Sequence, residues 1–218
     1  MLKAILFDMD GVIVDTEPLH YKAYHKMFED YKIVVDKDLY ESFTGQSTKN
    51  VCTRLVNHFS LEAHPKDLEL CKRSHFNSLF ETDESLQLLD GVYDIIVDYY
   101  NNGLTLVLAS SASNSTIEKV FTRFKLDSFF KAKISGATLK ASKPHPEIFE
   151  KAAQLANTKQ SECIVIEDST NGIEAAKSAG SYCIGYDSLH SKNQDYSKAD
   201  LVITSFKQIP YQKIKSLI

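Results

Sequence analysis

Asp8 and Asp10 stand two residues apart after the apolar run Leu2–Phe7, and Gly11 follows them. Two carboxylates this close repel one another and are stabilised by sharing a proton or a cation; hard oxygen donors suit Mg²⁺. A strand running into a turn also uses paired aspartates, so the dyad alone leaves both readings open. Other positions, each after an apolar run or in a stiffened loop, bear on the choice. Ser110 and Ser111 follow Leu104–Ala109 and offer a hydroxyl and main-chain N–H groups just ahead of a helix start, where a phosphate could be held. Lys143 sits in Ser142-Lys143-Pro144-His145-Pro146, where flanking prolines stiffen the chain and an ammonium can neutralise a phosphoryl oxygen. Glu167 and Asp168 end the run Cys163–Ile166, where carboxylates make sense as metal ligands and little sense as sheet residues. Each has a plain explanation as a loop, a cap or a solvated surface group; their coincidence at strand ends does not.

The elements that must position these groups are legible as short, continuous apolar runs: Leu2–Phe7, Leu104–Leu108, Cys163–Ile166, Tyr182–Gly185 and Leu201–Ile203. Continuity rather than alternation is the mark of strands buried on both faces. Helical patterns lie between them. Asn114 or Ser113 can cap a helix bearing Ile117, Val120, Phe121 and Phe124; Pro146 opens one bearing Ile148, Phe149, Ala152 and Leu155; Asn171 opens one closed by Gly180. This order predicts an α/β fold, a doubly wound, mostly parallel sheet of Rossmann-like type that binds ligands at its carboxyl edge.

Residues 17–83 break the rhythm with helical faces (Leu19/Ala23/Met27, Val51/Leu55/Phe59, Leu68/Cys71/Phe76/Leu79) and no convincing buried strand. They are expected to form an all-α insertion into a core made of residues 1–16 and 84–218. The polar segments Asp15–Pro18 and Glu81–Ser85 would be adjacent linkers, and so a hinge. Ser188–Ala199 reads as a surface loop.

The 218 residues are long enough to bury roughly 70% of their unfolded surface without disulfides or structural metals. With Lys+Arg 25 against Asp+Glu 29 and a net charge of −4, the chain lacks the cationic footprint of a nucleic-acid binder or a basic face for membranes. Asp8 interrupts any signal-peptide core, and no run is long enough to span a bilayer, so a cytoplasmic protein is expected; a monomer is expected as well. Cys52, Cys71, Cys163 and Cys183 lack metal-finger spacing and are expected to be reduced thiols.

Asp8-Met9-Asp10-Gly11-Val12, Ala109-Ser110-Ser111, Lys143-Pro144 and Ile166-Glu167-Asp168-Ser169, with Asn171-Gly172-Ile173-Glu174-Ala175-Ala176, resemble the ordered motifs of the haloacid dehalogenase-like phosphotransferases, most closely the β-phosphoglucomutase-like group. The resemblance spans essentially the whole chain, including a helical cap domain at 17–83. It implies Asp8 as the nucleophile that becomes an aspartyl phosphate, and Asp10 as acid and base. It further implies Mg²⁺ on Asp8, Asp10, Glu167 and Asp168, and phosphoryl contacts from Ser110, Ser111 and Lys143.

Substrate choice in that family looks to the cap, here Thr16, His20, Thr44, Gly45, Gln46 and Thr48. Sugar-phosphate mutases usually place Lys and Arg where this chain has Thr44 and Thr48, and threonines would hold the distal phosphate of a bisphosphate poorly. The expectation is therefore a Mg²⁺-dependent phosphatase acting on small phosphorylated metabolites, with mutase activity as the alternative. A phosphoacceptor signalling domain of the response-regulator type also puts an Asp at a parallel-sheet edge, but it needs no inserted cap.

Overall fold

The computed structural model of the chain describes residues 1–43, 48–187 and 193–218. In chain order the helices are α1 Glu17–Asp30, α2 Lys37–Glu41, α3 Thr48–Phe59, α4 Pro65–Thr82, α5 Val92–Asn101, α6 Asn114–Phe124, α7 Glu147–Ala156, α8 Thr170–Ser178 and α9 Tyr211–Ile214. The strands are β1 Ala4–Phe7, β2 Thr105–Ser110, β3 Phe130–Ser135, β4 Cys163–Glu167, β5 Tyr182–Tyr186 and β6 Leu201–Ile203. Two compact units result: Met1–Asp15 with Gln87–Ile218, and Thr16–Leu86.

The first unit is built on one six-stranded sheet in the order β3-β2-β1-β4-β5-β6, with every pairing parallel. Buried on both sides, β1 sends alternate residues to opposite faces. Ala4 and Leu6 join Val107, Ala109 and Val165 beneath Ile148, Phe149 and Ala152 of α7 and Ile173 and Ala176 of α8. Phe7 turns the other way, 6.4 Å from the ring of Tyr99 in α5 and 5.6 Å from Phe130, which in turn meets Phe121 of α6. At about 1.5–3 kcal/mol per large apolar side chain, the burial of Ile148 and Phe149 contributes most to holding α7 on the sheet, helped by Ala152, Ala153 and Ala156.

The caps refine the sequence expectations. Ser113, not Asn114, caps α6, its side chain accepting from Thr116 N–H, and Ser169 rather than Asn171 caps α8, accepting from Gly172 N–H. Beyond the short helices α2 and α9, two elements of this unit are absent from the expected set. One is α5, which carries Val92, Ile95, Ile96 and Tyr99 on its buried side. The other is β3, where the register shifts: Leu106 pairs with Phe130 but Val107 pairs with Ala132, leaving Lys131 with no opposite residue.

The second unit contains α1 to α4 and no strand among the described residues. Met27, Phe28, Val51, Cys52, Leu55 and Leu68 form its core. The buried face of α4 is Leu68, Glu69, Lys72, Phe76 and Phe80 rather than the expected stripe through Cys71 and Leu79, because spacing four apart through a lysine carries the apolar side. All four cysteines are free thiols; Cys52, Cys163 and Cys183 are buried and Cys71 is half-buried. No helix among the described residues is long and apolar enough to cross a membrane.

Candidate active site

The site is assembled by strand register. Phe7 of β1 pairs with Ile166 of β4 and with Leu108 of β2, so the residues one step further, Asp8, Glu167 and Ala109, emerge side by side at the carboxyl edge. Neighbouring strands are about 4.8 Å apart, which leaves carboxylates on β1 and β4 no means of avoiding one another. Asp8 N–H closes the edge by donating to Ile166 O at 3.0 Å.

Lys143 enters from the loop between β3 and α7, and its peptide bond to Pro144 is cis. Its Nζ hydrogen-bonds Asp8 Oδ1, donates to Glu167 Oε1 at 2.7 Å and to Ala109 O at 3.1 Å, and lies 5.0 Å from the centre of the Phe149 ring. All three charged side chains are buried, Glu167 almost completely. Burial drives the Asp8 carboxyl well above its ordinary pKa; Lys143 opposes the shift, while Glu167 and Asp168 add to it. For Lys143, burial works against the charge, but Asp8 and Glu167 outweigh it and hold the ammonium above its usual range.

Glu167 has no idle oxygen. Oε2 accepts from Ser169 N–H at 2.8 Å and Ser169 Oγ at 2.9 Å while Oε1 serves Lys143. Its carboxylate occupies the space that a side chain at position 172 would fill: a Cβ on Gly172 would lie 1.7 Å from Oε1. Gly11 makes the corresponding room for Asp168, with a hypothetical Cβ 2.0 Å from Oδ2, and its φ of +81° turns the chain after Asp10. The loop after β1 and the loop after β4 are thus interlocked through Gly11 and Asp168.

Ser110 is buried at the end of β2, its Oγ accepting from Ala112 N–H at 3.1 Å; Ser111 next to it is exposed. The structure brings Asp8, Lys143 and Glu167 into direct contact, with Asp168 against Gly11. Residues missed by the sequence reading support them: Ser169 holds Glu167, and the Tyr196 hydroxyl donates to Asp168 O at 3.0 Å. Tyr196 falls in the stretch expected to be a surface loop; its described residues, 193–199, do form a loop with Asn193, Asp195, Ser197 and Lys198 exposed, but Tyr196 and Ala199 pack against the core and Gln194 accepts from Thr170. An Asn-Gln-Asp-Tyr stretch without period carried no signal of this.

The second unit places its candidates separately. Thr44, Gly45 and Gln46 lie outside the described residues. Thr16 is buried at the N-cap of α1, and Thr48 opens α3 with its hydroxyl bonded to the phenol of Tyr24. His20 stacks on Phe76 at 4.4 Å and its Nδ1 lies 2.6 Å from Nζ of Lys72, a buried lysine absent from the expected set. Burial and then the Lys72 charge push the His20 pKa down to about 3. Burial pulls Lys72 down to about 8, with Glu17 only partly offsetting it.

Residues 5–186 match the sequence profile of the family described as haloacid dehalogenase-like hydrolase. The chain belongs to this family. Among its relatives, the β-phosphoglucomutase of Bacillus subtilis is 30% identical over 93% of this chain and 89% of its own. The phosphorylated carbohydrates phosphatase of Thermotoga maritima is 31% identical over 88% of each. The crystal structure of CbbY from Rhodobacter sphaeroides in complex with phosphate superimposes with a TM-score of 0.81 at 27% identity, covering 94% of this chain and 95% of that one. The chain is thus a hydrolase of the haloacid dehalogenase-like family, and the parallel sheet with its helical insertion is that family's architecture.

Proposed function

We propose that the chain is a Mg²⁺-dependent phosphatase of small phosphorylated metabolites of the sugar-phosphate kind, working through an aspartyl phosphate on Asp8. The observation that carries this reading is the buried Asp8 carboxylate, tied through one oxygen to Lys143 and crowded by Glu167 and Asp168. A nucleophilic carboxylate must be ionised, yet burial and its acidic neighbours press Asp8 towards its neutral form. One ammonium among carboxylates does not balance them, and the all-oxygen donor set fits a hard dication. Asp8, Asp168 and the main-chain carbonyl of Asp10 would hold it. Both oxygens of Glu167 are engaged by Lys143 and Ser169, so we assign it to positioning Lys143 rather than to the metal, which narrows the ligand set expected from sequence.

Bound there, Mg²⁺ supplies positive charge that offsets the repulsion between an anionic nucleophile and a phosphate dianion. An Asp8 oxygen attacks phosphorus, and Asp10 gives its proton to the departing ester oxygen. Asp10 then takes a proton from water, whose oxygen attacks the acyl phosphate and frees Asp8 and inorganic phosphate. Lys143 stays protonated throughout and shields the phosphoryl oxygens, joined by Ser110 and the Ser111 N–H. Removing the acid–base should slow turnover without preventing phosphoryl capture: Asp10→Asn is expected to lose roughly 10²–10⁴-fold in steady-state phosphate release. Unchanged turnover would remove Asp10 from proton transfer.

Mutase activity is the second reading, favoured by the 30% identity to the Bacillus subtilis enzyme. The uncharged Thr44 and Thr48 weigh against a clamp for a second phosphate. The deciding assay supplies β-glucose 1-phosphate with and without its bisphosphate and measures both free phosphate and glucose 6-phosphate. Free phosphate as the main product supports the phosphatase; stoichiometric isomer formation replaces it with the mutase.

A further inference from the structure

At the end of α1, Asp30 faces two side chains of α4. Cys71 and His75 are four residues apart, one helical turn, and so share a face. Cys71 Sγ lies 3.2 Å and His75 Nε2 2.6 Å from the same oxygen, Asp30 Oδ2, and the three donor atoms all lie within 4.8 Å of one another. Nothing in the phosphatase reading uses these residues.

We infer that Asp30, Cys71 and His75 form a binding site for a borderline-soft divalent ion of the zinc type, distinct from the carboxylate cluster at Asp8. A thiolate, an imidazole and a carboxylate are the donor types that favour such ions, whereas the all-oxygen set at Asp8 suits Mg²⁺. The geometry is close to what is needed. Tetrahedral bonds of about 2.0–2.3 Å set donor atoms roughly 3.3–3.5 Å apart. The imidazole and carboxylate therefore have to separate by less than about 1 Å and the thiol and carboxylate by a few tenths of an ångström, while the thiol and imidazole, within 4.8 Å of each other, close by up to about 1.3 Å, movements that side-chain torsions can supply. The Asp30 and His75 side chains are partly exposed, which leaves an entry path and a fourth position for water. On binding, the S–H proton of Cys71 passes to solvent as the sulfur–metal bond forms, and His75 moves its proton to Nδ1 so that Nε2 can donate its lone pair. The ion replaces hydrogen bonds that already tie α1 to α4, and would cross-link the two helices.

The test uses the full, reduced chain with Mg²⁺ in excess to occupy the Asp8 site. Co²⁺ is titrated in, and the near-ultraviolet thiolate-to-cobalt charge-transfer band is followed, together with its displacement by Zn²⁺. One equivalent and a band abolished in Cys71→Ser are expected. His75→Asn and Asp30→Asn should each weaken Zn²⁺ by roughly 100-fold or more, beyond what loss of an outer-shell partner costs. Zn²⁺ should raise the melting temperature of the wild-type chain and not that of Cys71→Ser. No charge-transfer band in the wild type, a band that survives in Cys71→Ser, or equal Zn²⁺ affinity in all four proteins would overturn the site. Asp30 is exposed at a helix end, so its variant reports even if Cys71→Ser fails to fold. Phosphate release plays no part in the readout, so the result stands apart from the phosphatase proposal.

Discussion

Lys143 in the sheet unit and Lys72 in the helical unit are both buried, yet their charges are held in opposite ways. Lys143 reaches Asp8 and Glu167, and those carboxylates outweigh its desolvation. Lys72 reaches the imidazole of His20 and lies 4.8 Å and 5.1 Å from the ring centres of Tyr24 and Phe76, partners that carry no full negative charge, and although the Glu17 carboxylate offsets part of the penalty, burial wins. The same side chain at similar depth is thus a fixed cation in one place and an ammonium that gives up its proton near pH 8 in the other. Burial sets the size of the electrostatic penalty, and the partners decide which protonation state bears it.

The comparison can be broken at either end. Asp8→Asn removes the first partner of Lys143 and, under the proposed mechanism, the nucleophile. Phosphate release should fall by roughly 10⁴-fold or more while circular dichroism stays native, since the amide changes little volume. Full activity would end the assignment. Lys143→Met strands Asp8 and Glu167 as uncompensated buried carboxylates, with an expected loss of about 3–5 kcal/mol in urea unfolding.

Lys72→Met should do the reverse. A pKa of about 8 in the folded protein against the ordinary 10.5 means that the unfolded chain binds more protons between those values. Stability therefore rises with pH across that window, and the penalty is fully present below it. Replacing the lysine with an apolar side chain is expected to gain about 1–3 kcal/mol at neutral pH, an advantage that shrinks above about pH 8 as the wild type sheds its proton. A destabilised Lys72→Met protein would show that the ammonium is held by its rings and not merely tolerated. At neutral pH the smallest effect belongs to His20, whose pKa of about 3 against an ordinary 6.5 leaves it neutral in both folded and unfolded chains there. It should stay neutral by NMR through the mildly acidic range, and the wild type should lose stability as pH falls from 6.5 towards 3, a slope that His20→Asn flattens.

Much of the sheet unit was legible because its signals are local. Continuous apolar runs mark β1, β2 and β4, and strand ends locate Asp8, Ser110, Glu167 and Asp168 without any knowledge of packing. What the chain order cannot convey is which oxygen meets which donor. Glu167 reads as one more carboxylate at a strand end, and only the structure shows Lys143 on one of its oxygens and Ser169 on the other. Lys72 was hidden for a similar reason. A lysine on an apolar stripe looks like the edge of the buried face, and only the position of α1 puts His20 beside it. β3 escaped because Phe130-Lys131-Ala132-Lys133-Ile134-Ser135 alternates apolar and polar residues, unlike the continuous apolar runs that mark the other strands. With Lys131 displaced, Phe130 and Ala132 nonetheless serve opposite faces of the sheet although they stand two apart.

That displaced residue has a bearing on how copies of the chain behave in concentrated solution. β3 and β6 are the open margins of the sheet, where unpaired main-chain groups invite another molecule to add a strand. β6 is only three residues long and so offers a short template. β3 is six residues long, but its pairing geometry is interrupted at Lys131, and Lys133 is anchored beside it by Glu118 and Asp127. An incoming strand would meet a kinked, charged rim instead of a straight ladder. The register shift at Lys131 thus works against edge-to-edge aggregation.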